Sequence, residues 1–417
     1  MKRVIVFTIT FIFVLCYTTL TAQDKPVFQT TQLTEHLHML TTDQGAYTTN
    51  TIVSVGDDGI LIVDTQTKSE AEELKKIIDG FDKGLPKYII NTHRHVEHIG
   101  GNAIFGDEPI KIAHVLYPEK LKSGSYIFEE FPEATYPDIT LADSLTLNFN
   151  GEKIRIIALG GSHDDNEIIV HFTQSKVVHL SSLVNGFNFP SIDGDGNIFM
   201  FAPLVARAIK LLPEDVTIVS GHNPPGRWDQ LQPYHDMLLQ TVAAVKAGLD
   251  AGKDAAALKE EKTLDQWKEY AGSYVSVDDW VDYIIDGFES KDKPRKKSIY
   301  VPIYYAIKDG GADAGIAKYL ELKNKYGDEY EFTEFGLLVI GDKFKDKQKY
   351  PEAIRYLELN LKEYPEGKYS YYCLYLMAEA QKDSGQKDKA IASCKKAIEL
   401  KPDFQAGAKL LEELEKM

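Results

Sequence analysis

Read from its amino terminus, the chain passes through three regimes of hydrophobic spacing. Met1-Lys2-Arg3 precedes an apolar or Thr-containing run from Val4 to Leu15; Thr18 to Ala22 is small and mildly polar, and Gln23-Asp24-Lys25 is hydrophilic. A basic start, a short apolar run and a small-residue end predict a secretory signal peptide over residues 1–22, cleaved near Ala22. The run falls short of the ~20 residues that a spanning helix needs. No stable membrane span is therefore expected after cleavage, and the mature protein is expected to be exported, either periplasmic or extracellular. From residue 33 to about 220, strand-length apolar segments alternate with helical spacing. Strands are predicted over 48–55, 60–64, 87–91, 110–113, 145–149, 154–159, 167–172 and 177–180, the first two split by Gly56-Asp57-Asp58-Gly59. Helices are predicted over 69–78, 202–212 and 230–249. Strands interleaved with helices predict a layered α/β or α+β domain, placed at 23–290.

Beyond a basic, proline-containing linker at 291–297, the remainder (298–417) repeats. Lys308-Asp309, Lys345-Asp346 and Lys382-Asp383 are each 37 apart, and Tyr319-Leu320-Glu321-Leu322 recurs unchanged at Tyr356-Leu357-Glu358-Leu359. A helical period of this size predicts an all-α domain of stacked hairpins, each burying its apolar face on the next. The third unit, with Ala378, Gly385, Ala390, Ala397 and Pro402, resembles a tetratricopeptide repeat. Such repeats hold a protein or peptide partner, or serve as a scaffold packed on the first domain.

Charge narrows the partners. Residues 23–290 carry 21 basic against 41 acidic groups, whereas 291–417 carry 24 against 22. A domain with a net charge of −20 repels polyanions, so no nucleic acid is expected. After leader cleavage, Cys373 and Cys394 remain; they could pair in an oxidising compartment, but sequence does not fix the geometry.

The chemistry lies in histidine-bearing segments. Asn91-Thr92-His93-Arg94-His95-Val96-Glu97-His98-Ile99-Gly100-Gly101-Asn102 follows the apolar strand Tyr88-Ile89-Ile90. Three imidazoles and a carboxylate within six residues repel or strain one another unless something binds them. A divalent metal does so by taking neutral imidazole nitrogens and a carboxylate oxygen. Spacing at i, i+2 lets His93 and His95 face one ion, while Glu97 and His98 lie further on and can face a second.

His-x-His-x-acid-His after a strand, then Gly-Gly-Asn, resembles the signature of the metallo-β-lactamase superfamily. Gly160-Gly161-Ser162-His163-Asp164-Asp165-Asn166 is similar to its third-ligand segment, and Val219-Ser220-Gly221-His222-Asn223-Pro224 to its late Gly-His segment. Asn50–Asp64 resembles its opening hairpin. The resemblance covers about 30–250 and implies an αββα sandwich with metals at the edge of two packed sheets. It implies one site of His93, His95 and His163, a second of Glu97, His98 and His222, and one or two zinc ions. It further implies that Asp64 supports a ligand; Glu97 and Asp64 are the candidate catalytic residues, and Asp164 or Asp165 the candidates for orienting His163.

Two departures shape the expected chemistry. Glu97 stands where the family usually has Asp, one methylene shorter. Ser182, in Val177-Val178-His179-Leu180-Ser181-Ser182, stands where thioesterase-like and phosphodiesterase-like members place a metal-bridging Asp; the third subclass of metallo-β-lactamases has serine there. Together they lean toward amide or lactam chemistry, or toward a single-metal or weakened enzyme. The expected activity is metal-assisted hydrolysis of a small-molecule carbonyl substrate (lactam, lactone, ester or thioester) by a metal-bound hydroxide. The alternatives are phosphodiester or sulfate-ester hydrolysis, and a degenerate metal-binding module acting through its repeats. His179, beside Ser181-Ser182, is a candidate supporting residue. His36 and His38, read as lying on a strand, and His114, His171 and His235 are read as structural. Two aromatic segments, 125–132 with Tyr136 and Phe187-Asn188-Phe189-Pro190, are candidate substrate walls.

Overall fold

The computed structural model describes residues 28–43, 48–122, 131–192, 196–291 and 296–417. The expected leader, most of the aromatic segment at 125–132 and the middle of the basic linker lie outside the described residues.

Two sheets dominate the amino-terminal half. The first runs in chain order through β1 (Phe28–Gln32), β2 (Leu37–Asp43), β3 (Thr48–Gly56), β4 (Gly59–Val63), β5 (Tyr88–Ile90), β6 (Ile110–His114) and β7 (Ile139–Leu141). β1 to β4 form an antiparallel meander, and β5, β6 and β7 then add in parallel. The second sheet contains β8 (Ser144–Phe149), β9 (Glu152–Ala158), β10 (Ile168–Phe172), β11 (Val177–His179), β12 (Thr217–Val219) and β13 (Gly226–Arg227), ordered β13-β12-β11-β10-β9-β8. Only β11 and β12 pair in parallel there.

Strand alternation decides the layers. Ile60 and Ile62 of β4 face outward with Leu40, Val53 and Ile89, and meet Leu74 and Ile78 of α1 (Lys68–Asp79). Leu61 and Val63 face inward with Ile52, Ile90 and Ile112, and pack on Ile154, Ile156, Ile168, Val170 and Phe172 of the second sheet. The second sheet's outer face, with Ile157, Ile169, Val178 and Ile218, is covered by helices from residue 198 onward. The result is helix, sheet, sheet, helix. This is the expected αββα sandwich, and it is held by side chains that period-two strands deliver to both faces.

The helices of this half, after α1, are α2 (Val96–Ile99), α3 (Tyr117–Lys122), α4 (Ile198–Leu211), α5 (Leu231–Asp250), α6 (Ala255–Glu260) and α7 (Val277–Ser290). The sequence reading has no element at α7. Its buried residues, Trp280, Val281, Ile284 and Ile285, keep helical spacing, and Ser276 and Asp279 close a capping box at its start. The structure also differs at His36: residues 34–36 form a bend, with Thr34 Oγ1 accepting from Leu37 N (3.2 Å), and β2 begins only at Leu37.

The carboxy-terminal part is helical: α8 (Tyr300–Tyr326), α9 (Glu334–Asp346), α10 (Tyr350–Glu363), α11 (Ser370–Asp383), α12 (Lys387–Leu400) and α13 (Gln405–Lys416). The 37-residue period has a backbone counterpart. Gly311, Gln348 and Gly385 all take left-handed φ values (76°, 57° and 78°), and each sits where one helical run gives way to the next. Tyr319 and Tyr356, equivalent in the period, are both fully buried. Cys373 and Cys394 do not pair. Each is buried and free, with its Sγ against a carbonyl, Leu357 O at 3.4 Å and Gly407 O at 3.0 Å. Among the described residues, no helix is long and apolar enough to cross a membrane.

Candidate metal centre

The four histidine segments meet because β4, β5, β11 and β12 end at the same edge of the sandwich. Asp64 directly follows β4, the loop 91–98 follows β5, Ser181-Ser182 follows β11, and Gly221-His222 follows β12. His163 arrives on the loop between β9 and β10. The His222 loop is tied to the first sheet by Asn50, whose N–H reaches Gly221 O (2.8 Å) and whose side chain reaches Ser220 O and Asn223 O (2.9 and 2.7 Å). Close backbone approach is needed twice. A Cβ on Gly101 would lie 2.2 Å from Thr65 O, and one on Gly221 would lie 2.8 Å from His98 Cε1. Both positions require glycine.

Two ligand sets converge. His93, His95 and His163 offer nitrogens all within 4.8 Å of one another, and Glu97, His98 and His222 offer a carboxylate oxygen and two nitrogens within the same distance. The extra methylene of Glu97 does not prevent it from reaching the second set. Its Oε1 also lies 3.7 Å from His95 Nδ1, toward the first set.

The outward nitrogens fix the tautomers. His98 Nδ1 lies 2.8 Å from Asp64 Oδ2, and His222 Nδ1 lies 2.6 Å from Thr48 O. Carboxylate and carbonyl oxygens only accept, so these nitrogens carry the protons, and in the neutral rings each Nε2 bears a lone pair. The two Nε2 atoms are nevertheless 3.4 Å apart. In the first set, His163 Nδ1 donates to Ser191 O (2.8 Å), and His95 Nε2 faces Asp164 Oδ2 (3.4 Å). That leaves a lone pair on His163 Nε2, which lies 3.1 Å from His95 Nδ1. His93 Nε2 is buried without a hydrogen-bond partner. In the second set, lone pairs of the neutral rings face one another with no proton between them, and a bound cation makes that arrangement favourable. Burial favours the neutral form of two rings: it drives His93 well below its ordinary pKa, helped by the crowded imidazoles, and His222 down to about 3.

Around the ligands, the structure assigns several residues. Asp64 is fully buried at a left-handed φ of 64° and accepts from Thr92 N (2.8 Å), Thr92 Oγ1 (2.7 Å) and His98. It acts through His98, so its place is that of a positioning residue. Asp164 turns to the buried Arg94 guanidinium (2.9 Å) and to His95. The Ser191 carbonyl, not Asp164 or Asp165, takes the Nδ1 proton of His163. Asp165 pairs with Lys120 at 2.9 Å. Ser182 Oγ is buried with no hydrogen-bond partner, beside the Gly221 backbone. His179 accepts from Ser181 N at 3.1 Å, and burial lowers its pKa to about 4.

Sequence reasoning missed Glu167. Its carboxylate is buried and accepts from Ser162 Oγ (2.8 Å), His163 N (3.1 Å) and Ser182 N (3.2 Å), so it joins the His163 loop to the Ser182 loop. Burial pushes this carboxyl up to about 7, against the pull of the Ser162 hydrogen bond. The signal was present in the sequence as an acid opening the apolar run Ile168–Phe172. Glu167→Gln sets an amide N–H against one of these donors. We expect a stability loss of about 1–3 kcal/mol in urea unfolding, together with weaker metal uptake at the His163 set; equal stability and uptake would show that Glu167 braces nothing.

Residues 45–222 match the family model described as the Metallo-beta-lactamase superfamily. Solved structures similar to this chain include the metallo-beta-lactamase from Pontibacter korlensis (20% identity, 51% of this chain and 99% of that one, TM-score 0.45). Others are the DIM-1 metallo-beta-lactamase (20%, 52% and 99%, 0.44) and VMB-1 (17%, 51% and 97%, 0.44). The stretch 45–222, which holds all six candidate ligands, is thus what matches the Metallo-beta-lactamase superfamily model, and a helical region follows it in the chain.

Proposed function

We propose that this protein is an exported, zinc-dependent hydrolase of a carbonyl substrate: a lactam, lactone, ester or thioester. Members of the superfamily are mostly metal-dependent hydrolases. The observation that carries the reading is the convergence of two three-ligand sets, with His98 Nε2 opposed to His222 Nε2 while both of their outward nitrogens are already committed. His93, His95 and His163 would hold one ion, and Glu97, His98 and His222 a second. When bound, zinc polarises a carbonyl and lowers the pKa of water to about 7. The chain's own residues prepare this: Asp64 orients His98, the Thr48 and Ser191 carbonyls orient His222 and His163, and the buried rings exclude bulk water behind the ligands.

A carbonyl substrate fits better than a phosphate or sulfate ester. The cations beside the site, Arg94 and Lys120, are occupied by Asp164 and Asp165, each at 2.9 Å. A transferred phosphoryl group needs positive groups to hold its oxygens. In this reading the helical repeats present a surface to a protein or peptide partner.

Elemental analysis of the mature protein, purified without affinity histidines, is expected to find about two zinc per chain, as a paired-metal hydrolase requires. A neutral lactam, lactone and thioester panel would then find the bond class. A chain that neither contains zinc nor takes it up would overturn the proposal.

A further inference from the structure

The family match ends at residue 222, yet a later residue reaches the centre. The Tyr274 ring lies 5.7 Å from the His222 ring, centroid to centroid, tilted by 55°. Tyr274 is 39% exposed, so part of this large aromatic residue faces solvent beside the second ligand set.

Its support is rigid. Gly272 N donates to Val275 O (3.1 Å), closing a tight turn around Tyr274, and Val275 is fully buried. The next residue, Ser276, caps α7, whose Trp280 stacks on Phe189 (5.4 Å, 15°) and donates to Thr241 Oγ1 (3.0 Å). Just upstream, Phe189 N donates to Tyr270 O at 2.6 Å. The loop that leads from Ser182 to Ser191 is thus clamped to the segment that presents Tyr274. An exposed aromatic ring held on a built turn, leaning on a candidate ligand, is a surface made to be touched.

We propose that Tyr274 is a specificity-determining residue: its partly exposed ring seats a flat, apolar substituent of the substrate on the His222 side of the centre. This rests on the metal-hydrolase reading above. The paired state of Arg94 and Lys120 points the same way, because neither is available to hold an anionic substituent. The favoured class is an uncharged carbonyl compound bearing an aromatic or similarly planar group.

The test uses two neutral thiols as metal-directed probes of the full mature chain loaded with cobalt, read by the thiolate-to-cobalt absorption band. Benzyl mercaptan carries a flat ring and 2-mercaptoethanol does not. The unaltered protein is expected to prefer benzyl mercaptan. Tyr274→Ala is expected to cut that preference ~3–10-fold, the range of one aromatic pair, while Tyr274→Phe keeps it. Cobalt stoichiometry and 2-mercaptoethanol affinity are expected to be unchanged in both variants. An unchanged preference in Tyr274→Ala, or equal weakening of both thiols, overturns the assignment and leaves the metal reading intact. A chain that takes up no cobalt overturns both.

Discussion

Removing bound metal with a chelator is expected to lower the thermal midpoint of the protein by on the order of 10 °C and to reduce hydrolysis to background. A ligand that binds only the folded chain stabilises it by about 4 kcal/mol when present at 1,000 times its Kd, and a domain of this size loses about 2–4 °C per kcal/mol. The metal-free chain also inherits an unfavourable contact. His98 Nε2 faces His222 Nε2 at 3.4 Å, with the outward protons held by Asp64 and Thr48. A ring can relieve the contact only by breaking its outward hydrogen bond. This gives a reversal of sign at one residue. His222→Gln places an amide N–H donor opposite His98 Nε2. It is expected to destabilise the metal-loaded protein, which loses a ligand, and to stabilise the metal-free protein, which gains a donor. Calorimetry of both forms in both states checks this. A variant that lowers the midpoint equally with and without metal would show that the inward nitrogens are not opposed lone pairs.

What could be read without the structure follows from how local each feature is. His93, His95, Glu97 and His98 are separated by two, two and one residues, so the segment itself announces a metal loop. His163 and His222 were found through glycines and polar residues flanking them. The layered character was legible from strand-length apolar runs such as Gly59–Val63 and Ile168–Phe172 between helical segments, whereas the αββα order came from the family resemblance. The orienting contacts were not. Thr48 meets His222 from 174 residues away, and through a backbone carbonyl, which leaves no trace in residue identity. Ser191 meets His163 in the same way across 28 residues. Asp164 neighbours His163 in the chain, so local reasoning paired the two; the Arg94 guanidinium, contributed by a different loop, draws its carboxylate elsewhere. Tyr274 carried no signal, because nothing in an exposed Gly-Ser-Tyr-Val turn says that it folds back over His222.

Buried neutral histidines make the metal-free protein acid-sensitive, and the direction follows from the groups themselves. Burial holds His179 at about 4 and His222 at about 3, and drives His93 well below 6.5, the value each regains on unfolding. Between pH 6.5 and 4 the unfolded chain therefore binds protons at three positions where the folded chain does not, and stability falls as pH falls. Glu167 works in the opposite sense. Burial lifts it from 4.5 to about 7, so between those values the folded chain holds one proton that the unfolded chain releases. The lowered histidines outnumber Glu167, so the balance is a net proton uptake on unfolding, and stability is expected to fall from pH 6.5 to 4.5. Urea unfolding of the metal-free chain across that interval measures the slope. His179→Gln, whose side-chain oxygen can still accept from Ser181 N, is expected to reduce the slope by about one proton's worth, roughly 1.4 kcal/mol per pH unit. A metal-free chain equally stable at pH 6.5 and 4.5 would mean that the inward-facing imidazoles are already charged when folded. The opposed lone pairs, and the metal centre inferred from them, would then have to be given up.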